Sequence, residues 1–382
     1  MIYLDNAATT YPKPPDVHRA IAEALIHYGA NPGRGGYSMA MTTAECVYAC
    51  REALASLFSL EDPSGVVFTP NCTVALNFVI KGLLSNGGHA VITDLEHNSV
   101  IRPLEALSSR GVTYTTVTVD PTRPQETATR VRRAILPTTR LILCTHASNV
   151  LGIRTPLREI GEVAEAMRIP FAVDAAQSAG ILPIDMEKDR INFLCLPGHK
   201  GLYGPMGVGV LLCRGAYTLN TLIEGGTGSR SLLAAQPEEL PDRFESGTLN
   251  VIAICGLLGG IRWIKRNGGP EAIAEREAAR LRVLYEQLAN TPRIRLYTPY
   301  PDLSMTVPLL TFNVSGHNGE ETARLLGEQG VAVRAGLHCA PSAHRRMGTL
   351  TSGAVRICPS AFTTRDDLEK VRKILTEIVR TP

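Results

Sequence analysis

Short apolar runs alternate with amphipathic helical stretches through the middle of the chain, and this alternation constrains the fold more than any other feature. Apolar runs that predict buried strands occur at residues 65–69, 90–93, 141–145, 171–174, 193–196 and 207–213. Helical patterns lie between them, at residues 73–84, 99–109 and 156–167. Alternating strands and helices predict an α/β fold with a mostly parallel sheet sandwiched by helices. Ligands of such sheets bind at the carboxyl ends of the strands.

The pattern changes after about residue 255. A long amphipathic helix is predicted over residues 262–288, and the segments that follow are a strand at 309–314, a helix near 319–329, a short strand at 331–334 and a helix from about 364. We therefore predict a large domain over residues 16–255 and a smaller α+β C-terminal domain over residues 256–382. Residues 1–15 are expected to pack against the small domain or at the domain junction.

The composition is that of an ordinary globular protein, with 44% hydrophobic and 20% charged residues among 382. The net charge is +3 and no stretch concentrates Lys or Arg, so neither a nucleic acid nor a membrane surface is expected as a partner. No apolar run approaches the roughly 20 residues of a membrane span. The first residues also lack the pattern of a secretory signal. We therefore expect a cytoplasmic protein.

The nine cysteines are spread from Cys46 to Cys358, and none of them forms a C-x-x-C pair. This spacing does not indicate a zinc or redox motif, so no metal is expected. Mostly free thiols in a reducing compartment fit the composition best. Cys46 and Cys50 lie one helical turn apart, and we interpret them as small residues on one half-buried helix face.

A glycine-rich loop, PGHKGLYGPMGVG at residues 197–209, follows a predicted strand and carries Lys200. The chain has seven lysines, and the sequence around the others is typical of solvent-exposed positions: Lys13, Lys81, Lys188, Lys265, Lys370 and Lys373. A lysine in such a loop can approach a bound aldehyde, and burial favours the neutral amine that a Schiff base requires. A lysine that clamps a phosphate in a glycine turn is an equally good interpretation of this stretch alone.

Asp174 ends a predicted buried strand, where a carboxylate is costly unless it meets a positive partner. A pyridinium nitrogen would be such a partner, because the ion pair keeps the ring an effective electron sink. Gln177 lies about one turn further on and could bond a ring oxygen. The alternative for Asp174 is a strand-end residue that caps the next helix.

Two further strand ends carry candidate residues. In the segment TPNCTVALN, residues 69–77, a strand and a short polar turn lead into a helix whose free N–H groups, with the Thr73 hydroxyl, could bind phosphate. His97 follows the strand at 90–93 and could stack on a flat ring or shuttle protons. A plain N-cap and a structural histidine are the alternatives.

The C-terminal part carries a cysteine and an arginine in unusual settings. Cys339 lies in a loop between Gly336 and Pro341, and its neighbours Arg334 and His338 could favour the thiolate, whose unperturbed pKa is about 8.5. Arg356 lies inside a short apolar strand and therefore needs an anion. A substrate carboxylate would suit its bidentate geometry, and an internal salt bridge is the alternative.

Taken together and in this order, these motifs resemble the cysteine desulfurase family, which belongs to the class V aminotransferase group of fold-type I pyridoxal-phosphate enzymes. The resemblance runs from YLDNAATT at residues 3–10 to Arg356 and beyond. It implies pyridoxal 5′-phosphate as cofactor, with Lys200 as the Schiff-base lysine and Asp174 as the partner of the pyridine nitrogen. It also implies that Gln177 bonds the ring hydroxyl and that His97 stacks on the ring.

The remaining site residues are carried over from the same resemblance. Cys72, Thr73 and His199 match positions that bind the phosphate, Asn149 matches a residue near the cofactor and the substrate carboxylate, and Arg356 matches the arginine that binds this carboxylate. Thr248 matches a threonine that reaches the phosphate of the neighbouring subunit, which implies a homodimer with shared active sites. Cys339 matches the cysteine that accepts sulfur.

Two positions depart from the family pattern. Pro197 stands where many relatives have a phosphate-binding serine, and Cys72 stands where Thr or Ala is frequent. The resemblance implies an enzyme that converts L-cysteine to L-alanine and transfers sulfur to Cys339 as a persulfide, for delivery to a sulfur-acceptor protein. In that reaction Lys200 would remove the Cα proton and His97 would relay a proton. A selenocysteine or cysteine sulfinate lyase of the same family and an inert binding homologue are the alternatives.

Overall fold

A computed structural model describes residues 1–32 and 35–380 of the chain. The strands are β1 (Ile2–Tyr3), β2 (Val66–Thr69), β3 (Gly88–Thr93), β4 (Val112–Val117), β5 (Thr139–Thr145), β6 (Phe171–Asp174), β7 (Phe193–Pro197), β8 (Gly209–Cys213), β9 (Ile294–Leu296), β10 (Leu310–Val314), β11 (Val331–Ala332), β12 (Arg334–Gly336) and β13 (Ala354–Ile357). The helices are α1 (Pro15–His27), α2 (Ser38–Leu57), α3 (Cys72–Leu84), α4 (Asn98–Ala106), α5 (Pro124–Ala134), α6 (Leu157–Ala166), α7 (Val251–Arg266), α8 (Gly269–Ala289), α9 (Gly319–Glu328), α10 (Pro341–Met347) and α11 (Arg365–Arg380).

The central element is a seven-stranded sheet with the order β2-β8-β7-β6-β5-β3-β4. Its strands are parallel except for β8, which runs antiparallel to both of its neighbours. Apolar side chains alternate between the two faces, so Ile142 packs in one core and Leu143 in the other. Helices α2, α5, α6 and α7 cover the first face, whereas α3 and α4 cover the second. The predicted α/β fold with a mostly parallel sheet between helices is therefore confirmed.

A second, antiparallel sheet of four strands has the order β12-β13-β10-β9. Its core side is covered by α8, α9 and α11, which contribute Leu281, Leu326 and Leu375 to a separate hydrophobic cluster. This arrangement of a small sheet with helices matches the α+β character expected for the C-terminal part.

The predicted single helix over residues 262–288 is wrong. Helix α7 ends at Arg266 and α8 begins at Gly269, because Gly268 and Gly269 adopt positive φ angles of 94° and 85° that a continuous helix does not allow. Pro270 at the start of α8 also lacks the N–H that would continue a preceding helix. The amphipathic pattern continues across the break, which is why the sequence resembled one helix.

The predicted strand over residues 331–334 is also wrong, since the structure divides it between two sheets. Strand β11 pairs in parallel with β1, whereas β12 pairs antiparallel with β13. The N-terminal segment therefore contacts the C-terminal part through β1. It also contacts the loop after β7, where the Thr10 hydroxyl donates to the carbonyls of His199 and Lys200.

The division into two domains at residue 255 stays a prediction. The predicted domains also include residues 33, 34, 381 and 382, which lie outside the described chain. Helix α7 passes through this position without interruption and packs against the core of the large sheet along its length. The sulfur atoms of Cys46 on α2 and Cys255 on α7 lie next to each other, with the Cα atoms 6.4 Å apart, whereas Cys50 is a buried free thiol. Cys46 and Cys50 lie on the same helix, as predicted, and Cys46 is half-buried. Within residues 1–32 and 35–380, no helix is long and apolar enough to cross a membrane.

Candidate active site

The polar residues that follow the strands of the large sheet converge on one cavity at the carboxyl ends of β3, β5, β6 and β7. The predicted residues that line it are Cys72, Thr73, His97, Asn149, Asp174, Gln177, His199 and Lys200. Neighbours that the sequence analysis did not single out also line the cavity: Asn71, Ser99, Thr145 and Ala176. Pro197 contributes to the wall and offers neither an N–H nor a hydroxyl group.

Lys200 and Asp174 form the electrostatic centre of the cavity. Asp174 is 2% exposed, and the two hydrogen bonds that its carboxylate accepts, from the Ala176 N–H and the Cys72 thiol, both end on Oδ1. Oδ2 has no hydrogen bond within the described chain and can bind a positive ligand group. Burial lowers the pKa of Lys200, and the negative charge of Asp174 opposes this shift only in part. The lysine amine is therefore closer to its neutral form than a lysine in water.

The Cys72 thiol donates a hydrogen bond to Asp174 and stays protonated, so it does not provide a nucleophilic thiolate. Burial, and after it the charge of Asp174, raise the pKa of its thiol well above the ordinary value. The protonated thiol lies 3.6 Å from Asp174 Oδ1. The backbone N–H of Cys72, at the first position of α3, remains available to a ligand although the side chain differs from the Thr or Ala that is frequent at this position.

The N-terminus of α3 provides the donors of an anion site. Asn71 caps the helix by accepting from the Val74 N–H at 3.1 Å, which leaves the N–H groups of Cys72 and Thr73 without a hydrogen bond in the described structure. The Thr73 hydroxyl lies 2.9 Å from the Ser99 hydroxyl, so two hydroxyl groups lie beside these amides. Free amides at a helix N-terminus bind phosphate readily.

His97 is the N-cap residue of α4 and is held in one tautomer. Its Nδ1 accepts from the Ser99 N–H at 3.1 Å, so the ring proton of the neutral form is on Nε2. Burial lowers the pKa of this histidine. The ring is therefore neutral at neutral pH and can donate from Nε2.

His199 and Gln177 are anchored to the N-terminal segment. The His199 carbonyl accepts from the Thr10 N–H and from Lys13 Nζ, whereas its ring Nδ1 is buried without a hydrogen-bond partner in the described structure. Burial and the nearby charges of Lys200 and Lys13 lower the pKa of His199 to about 4. Gln177 Nε2 donates to the Ala7 carbonyl at 2.9 Å. These contacts fix the backbone of His199 and the side chain of Gln177 at the cavity wall.

Lys13 is a residue whose role the sequence analysis missed. It was predicted to be solvent-exposed, but Nζ donates to the Thr10 hydroxyl and to the His199 carbonyl, both at 2.8 Å. Burial lowers its pKa to about 8. Lys13 and His199 are 186 positions apart in the sequence, so no local pattern could have indicated the contact between them.

Glu96 was also missed, although it directly precedes His97. Its side chain is fully buried and accepts from the Thr93 hydroxyl and from the Thr145 N–H. Burial raises its pKa to about 8, which makes it a neutral acid at neutral pH. An acid after an apolar strand is the signal that could have identified it, as it did for Asp174.

Asn149 joins the cavity to the small sheet. Its side-chain Nδ2 donates to the His338 carbonyl at 2.7 Å, and its carbonyl accepts from Arg356 Nη1 at 2.9 Å. Arg356 also forms the internal salt bridge that was its alternative interpretation, from Nη2 to Asp5 at 3.0 Å. Its Nε is buried without a partner in the described chain. The salt bridge therefore leaves the Nε donor of the guanidinium unused.

Three predicted site residues, Arg356, Cys339 and Thr248, are not among the residues that line the cavity. Cys339 is exposed and lies at the rim, where its carbonyl accepts from the Asn98 N–H at 2.7 Å. The expected positive charge of His338 is absent at neutral pH, because burial lowers the pKa of that ring to about 3. Thr248 is exposed just before α7, and its contact with a neighbouring subunit stays a prediction.

Comparisons with known proteins agree with this geometry. The sequence model of the family described as aminotransferase class-V matches residues 2–371. A protein of Methanothermobacter thermautotrophicus named as a probable cysteine desulfurase is 33% identical over 99% of this chain and 94% of its own length. A protein of Pyrococcus abyssi with the same name is 30% identical over 100% of this chain and 94% of its own.

Solved structures give the same result. The apo structure of a cysteine desulfurase from Thermococcus onnurineus superimposes with a TM-score of 0.91 at 30% identity, and the match covers 100% of this chain and 95% of that one. An Escherichia coli cysteine desulfurase shares the fold at 24% identity, with a TM-score of 0.85 over 98% of this chain and 94% of its own. From the family match over nearly its whole length, this chain belongs to the class V aminotransferase family.

Proposed function

We propose that this protein is a pyridoxal-phosphate-dependent cysteine desulfurase, which converts L-cysteine to L-alanine and accepts the sulfur on Cys339 as a persulfide. The observation that carries the proposal is the joint placement of Lys200, Asp174 and an anion site in one cavity with a cysteine at its rim. The names of the relatives favour this activity over a selenocysteine or sulfinate lyase and over an inert homologue.

The cavity has the donors and charges that pyridoxal 5′-phosphate requires. The free oxygen of Asp174 suits a pyridinium nitrogen, and the Lys200 amine suits its aldehyde. The N-terminus of α3 and the unpaired ring nitrogen of His199 suit its phosphate. When bound, this cofactor would stabilise negative charge at the Cα atom of the amino acid.

The acid–base steps belong to Lys200 and His97. Because burial lowers the pKa of Lys200, its amine gives up its proton more readily than a lysine in water and could then remove the Cα proton of the substrate. His97, neutral with its proton on Nε2, can donate to a group on the substrate. The unpaired Nε of Arg356 would hold the substrate carboxylate, with Asn149 beside it.

The sulfur step belongs to Cys339. Its thiolate attacks the sulfur of the bound cysteine, so that an S–S bond forms while the C–S bond of the substrate breaks. The electron pair of the broken C–S bond stays with the substrate, whose Cβ atom gains a proton, and the proton taken up by Lys200 returns to Cα, so that the product leaves as alanine. Because Cys339 is exposed, the persulfide would be accessible to a sulfur-acceptor protein.

The assembly and location that go with this activity are also proposed. A homodimer would bring Thr248, which is exposed and outside the cavity of its own chain, to the phosphate site of the partner. An intracellular, cytoplasmic location fits a reaction that depends on a free thiol.

The test is alanine release from L-cysteine by Cys339→Ala. We expect turnover to fall by roughly a hundredfold or more, because the attacking nucleophile is lost. The visible absorption of the bound cofactor should be unchanged. Cys213→Ala, which removes a partly buried thiol at the end of β8, is the matched control and should keep wild-type turnover. Full activity of Cys339→Ala would refute the persulfide role.

A further inference from the structure

The turn that carries Cys339 is backed by two buried histidines. His338 is 8% exposed and His344, on α10, is fully buried. Their ring planes are within 9° of parallel and their centroids are 5.5 Å apart, so the rings meet edge to edge, with His338 Nδ1 3.3 Å from His344 Nε2. The proposed chemistry of the cavity uses neither ring.

The hydrogen-bond partners at the two ends determine the tautomers of both rings. His338 Nε2 lies 3.4 Å from the Arg334 carbonyl, which can only accept, so Nε2 carries the proton. His338 Nδ1 must then accept from His344 Nε2. His344 Nδ1 is left as an acceptor for the Thr349 hydroxyl at 2.8 Å. The result is one directional chain from Thr349 through both rings to Arg334.

These hydrogen bonds hold a turn whose backbone conformation is unfavourable. His338 and Cys339 have φ angles of 50° and 56°, in the left-handed region that residues other than glycine seldom adopt. Such a conformation persists only where surrounding contacts over-determine it. On the cavity side, Asn149 and the Asn98 N–H bind the two carbonyls, each at 2.7 Å. On the opposite side, His344 holds the His338 ring.

We infer that His338 and His344 are positioning residues, which hold the turn so that the Cys339 thiol is oriented to accept sulfur. This inference rests on the proposed function. The rings exchange no proton with the substrate, and their contribution is to fix two consecutive left-handed residues between the cavity and α10. The thiol itself remains exposed.

The experiment compares His344→Leu with His344→Gln. Leucine removes the donor to His338 Nδ1, whereas a glutamine amide can donate to that nitrogen and accept from Thr349. We expect His344→Leu to slow single-turnover persulfide formation on Cys339 roughly tenfold, and His344→Gln to restore it to within about threefold of wild type. Binding of L-alanine, followed by the cofactor spectrum, should be unchanged in both variants.

Alkylation of Cys339 by iodoacetamide separates orientation from reactivity, because a small reagent can approach an exposed thiol from many directions. The alkylation rate of His344→Leu should stay within about twofold of wild type. His89→Leu is the control for the loss of a buried histidine, since both ring nitrogens of His89 lie within hydrogen-bond distance of threonine hydroxyls far from the turn. This control should lower stability without slowing persulfide formation.

Hydrogen exchange at the Asn98 amide, which donates to the Cys339 carbonyl, tests the inference without turnover. Exchange should accelerate about tenfold in His344→Leu and remain slow in His344→Gln. Unchanged exchange in His344→Leu, or persulfide formation at the wild-type rate, would overturn the inference. A wild-type protein that forms no persulfide would refute the proposed function, whereas the exchange result would still decide whether the rings hold the turn.

Discussion

The cavity at the strand ends of the large sheet and the turn that carries Cys339 lie side by side, yet different forces determine their structures. The cavity is buried at the strand ends of the large sheet, and desolvation dominates the behaviour of Lys200, His97 and His199. The turn belongs to the small sheet and exposes its cysteine. Hydrogen bonds to two left-handed residues, rather than burial of the thiol, determine its geometry.

The difference indicates that the two regions contribute separate parts of the proposed reaction: the cavity provides the bases, and the turn provides the nucleophile. Burial in the cavity lowers the pKa of Lys200, His97 and His199 and so favours the neutral forms of these bases. An exposed nucleophile is suited to passing sulfur to another molecule, which a buried thiol could not meet. If this division is correct, substitutions in one region should leave the measurable properties of the other unchanged.

The largest expected effect is that of Lys200→Ala, which removes the amine from the cavity. Turnover of L-cysteine should fall by about 10⁴-fold, since both the covalent link to the cofactor and the base are lost. Alkylation of Cys339 should proceed at the wild-type rate. Lys188→Ala is the matched control, because that side chain is 78% exposed and forms only a surface ion pair. A large change in alkylation would show that the two regions are not independent.

Asn149→Ala should change the properties of both the cavity and the Cys339 turn, because Asn149 contacts both regions. Loss of its side chain leaves the His338 carbonyl without its donor, and we expect turnover to fall roughly tenfold. Exchange of the Asn98 amide should accelerate in the same variant. Asn313→Ala removes a comparable hydrogen bond, to the Gly353 carbonyl at 3.0 Å, from the small sheet alone. If both variants had equal effects on turnover, Asn149 would have no special linking role.

The smallest effect concerns the pH dependence of stability, and it depends on a buried acid beside the cavity. Burial raises the pKa of Glu277 from 4.5 to about 8. The folded protein therefore binds more protons than the unfolded chain between these values. Stability contributed by this group is present at low pH and is lost as the pH rises through about 8.

Glu277→Gln should remove this dependence while keeping a partner for the Tyr203 hydroxyl. Between about pH 5 and pH 8, the free energy of unfolding of wild type should fall relative to the variant, with a slope of up to about 1.4 kcal/mol per pH unit. Denaturant titrations at several pH values measure it. Parallel curves for the two proteins would mean that Glu277 is ionised in the folded state.

The features that the sequence predicted are those with a local cause. Buried strands and the polar residues directly after them are recognisable from apolar runs, so the large sheet and the positions of Asp174, His97 and Lys200 at its carboxyl edge were expected. The break between α7 and α8 was missed because the apolar periodicity continues across it. Strand β4 was missed as well, since its sequence VTYTTV is only partly buried at the sheet edge.

Other features depend on contacts between distant segments, which a single sequence does not contain. Lys13 lies 186 positions from the carbonyl of His199 that it binds. The neutral state of His338 follows from burial by the folded structure around it, whereas the sequence showed only a histidine beside a cysteine. The same reason separates the two halves of the segment at residues 331–334, because each half pairs with a different strand.

The salt bridge between Asp5 and Arg356 joins positions that are 351 residues apart. Strand β1 likewise cannot pair until its partner β11 has been synthesised. During synthesis on a ribosome, the strands of the large sheet emerge long before Arg356 is added. A nascent chain can therefore fold the sheet and the cavity while the proposed carboxylate-binding group is still missing. The site can therefore be completed only after the strand that carries Arg356 has been synthesised.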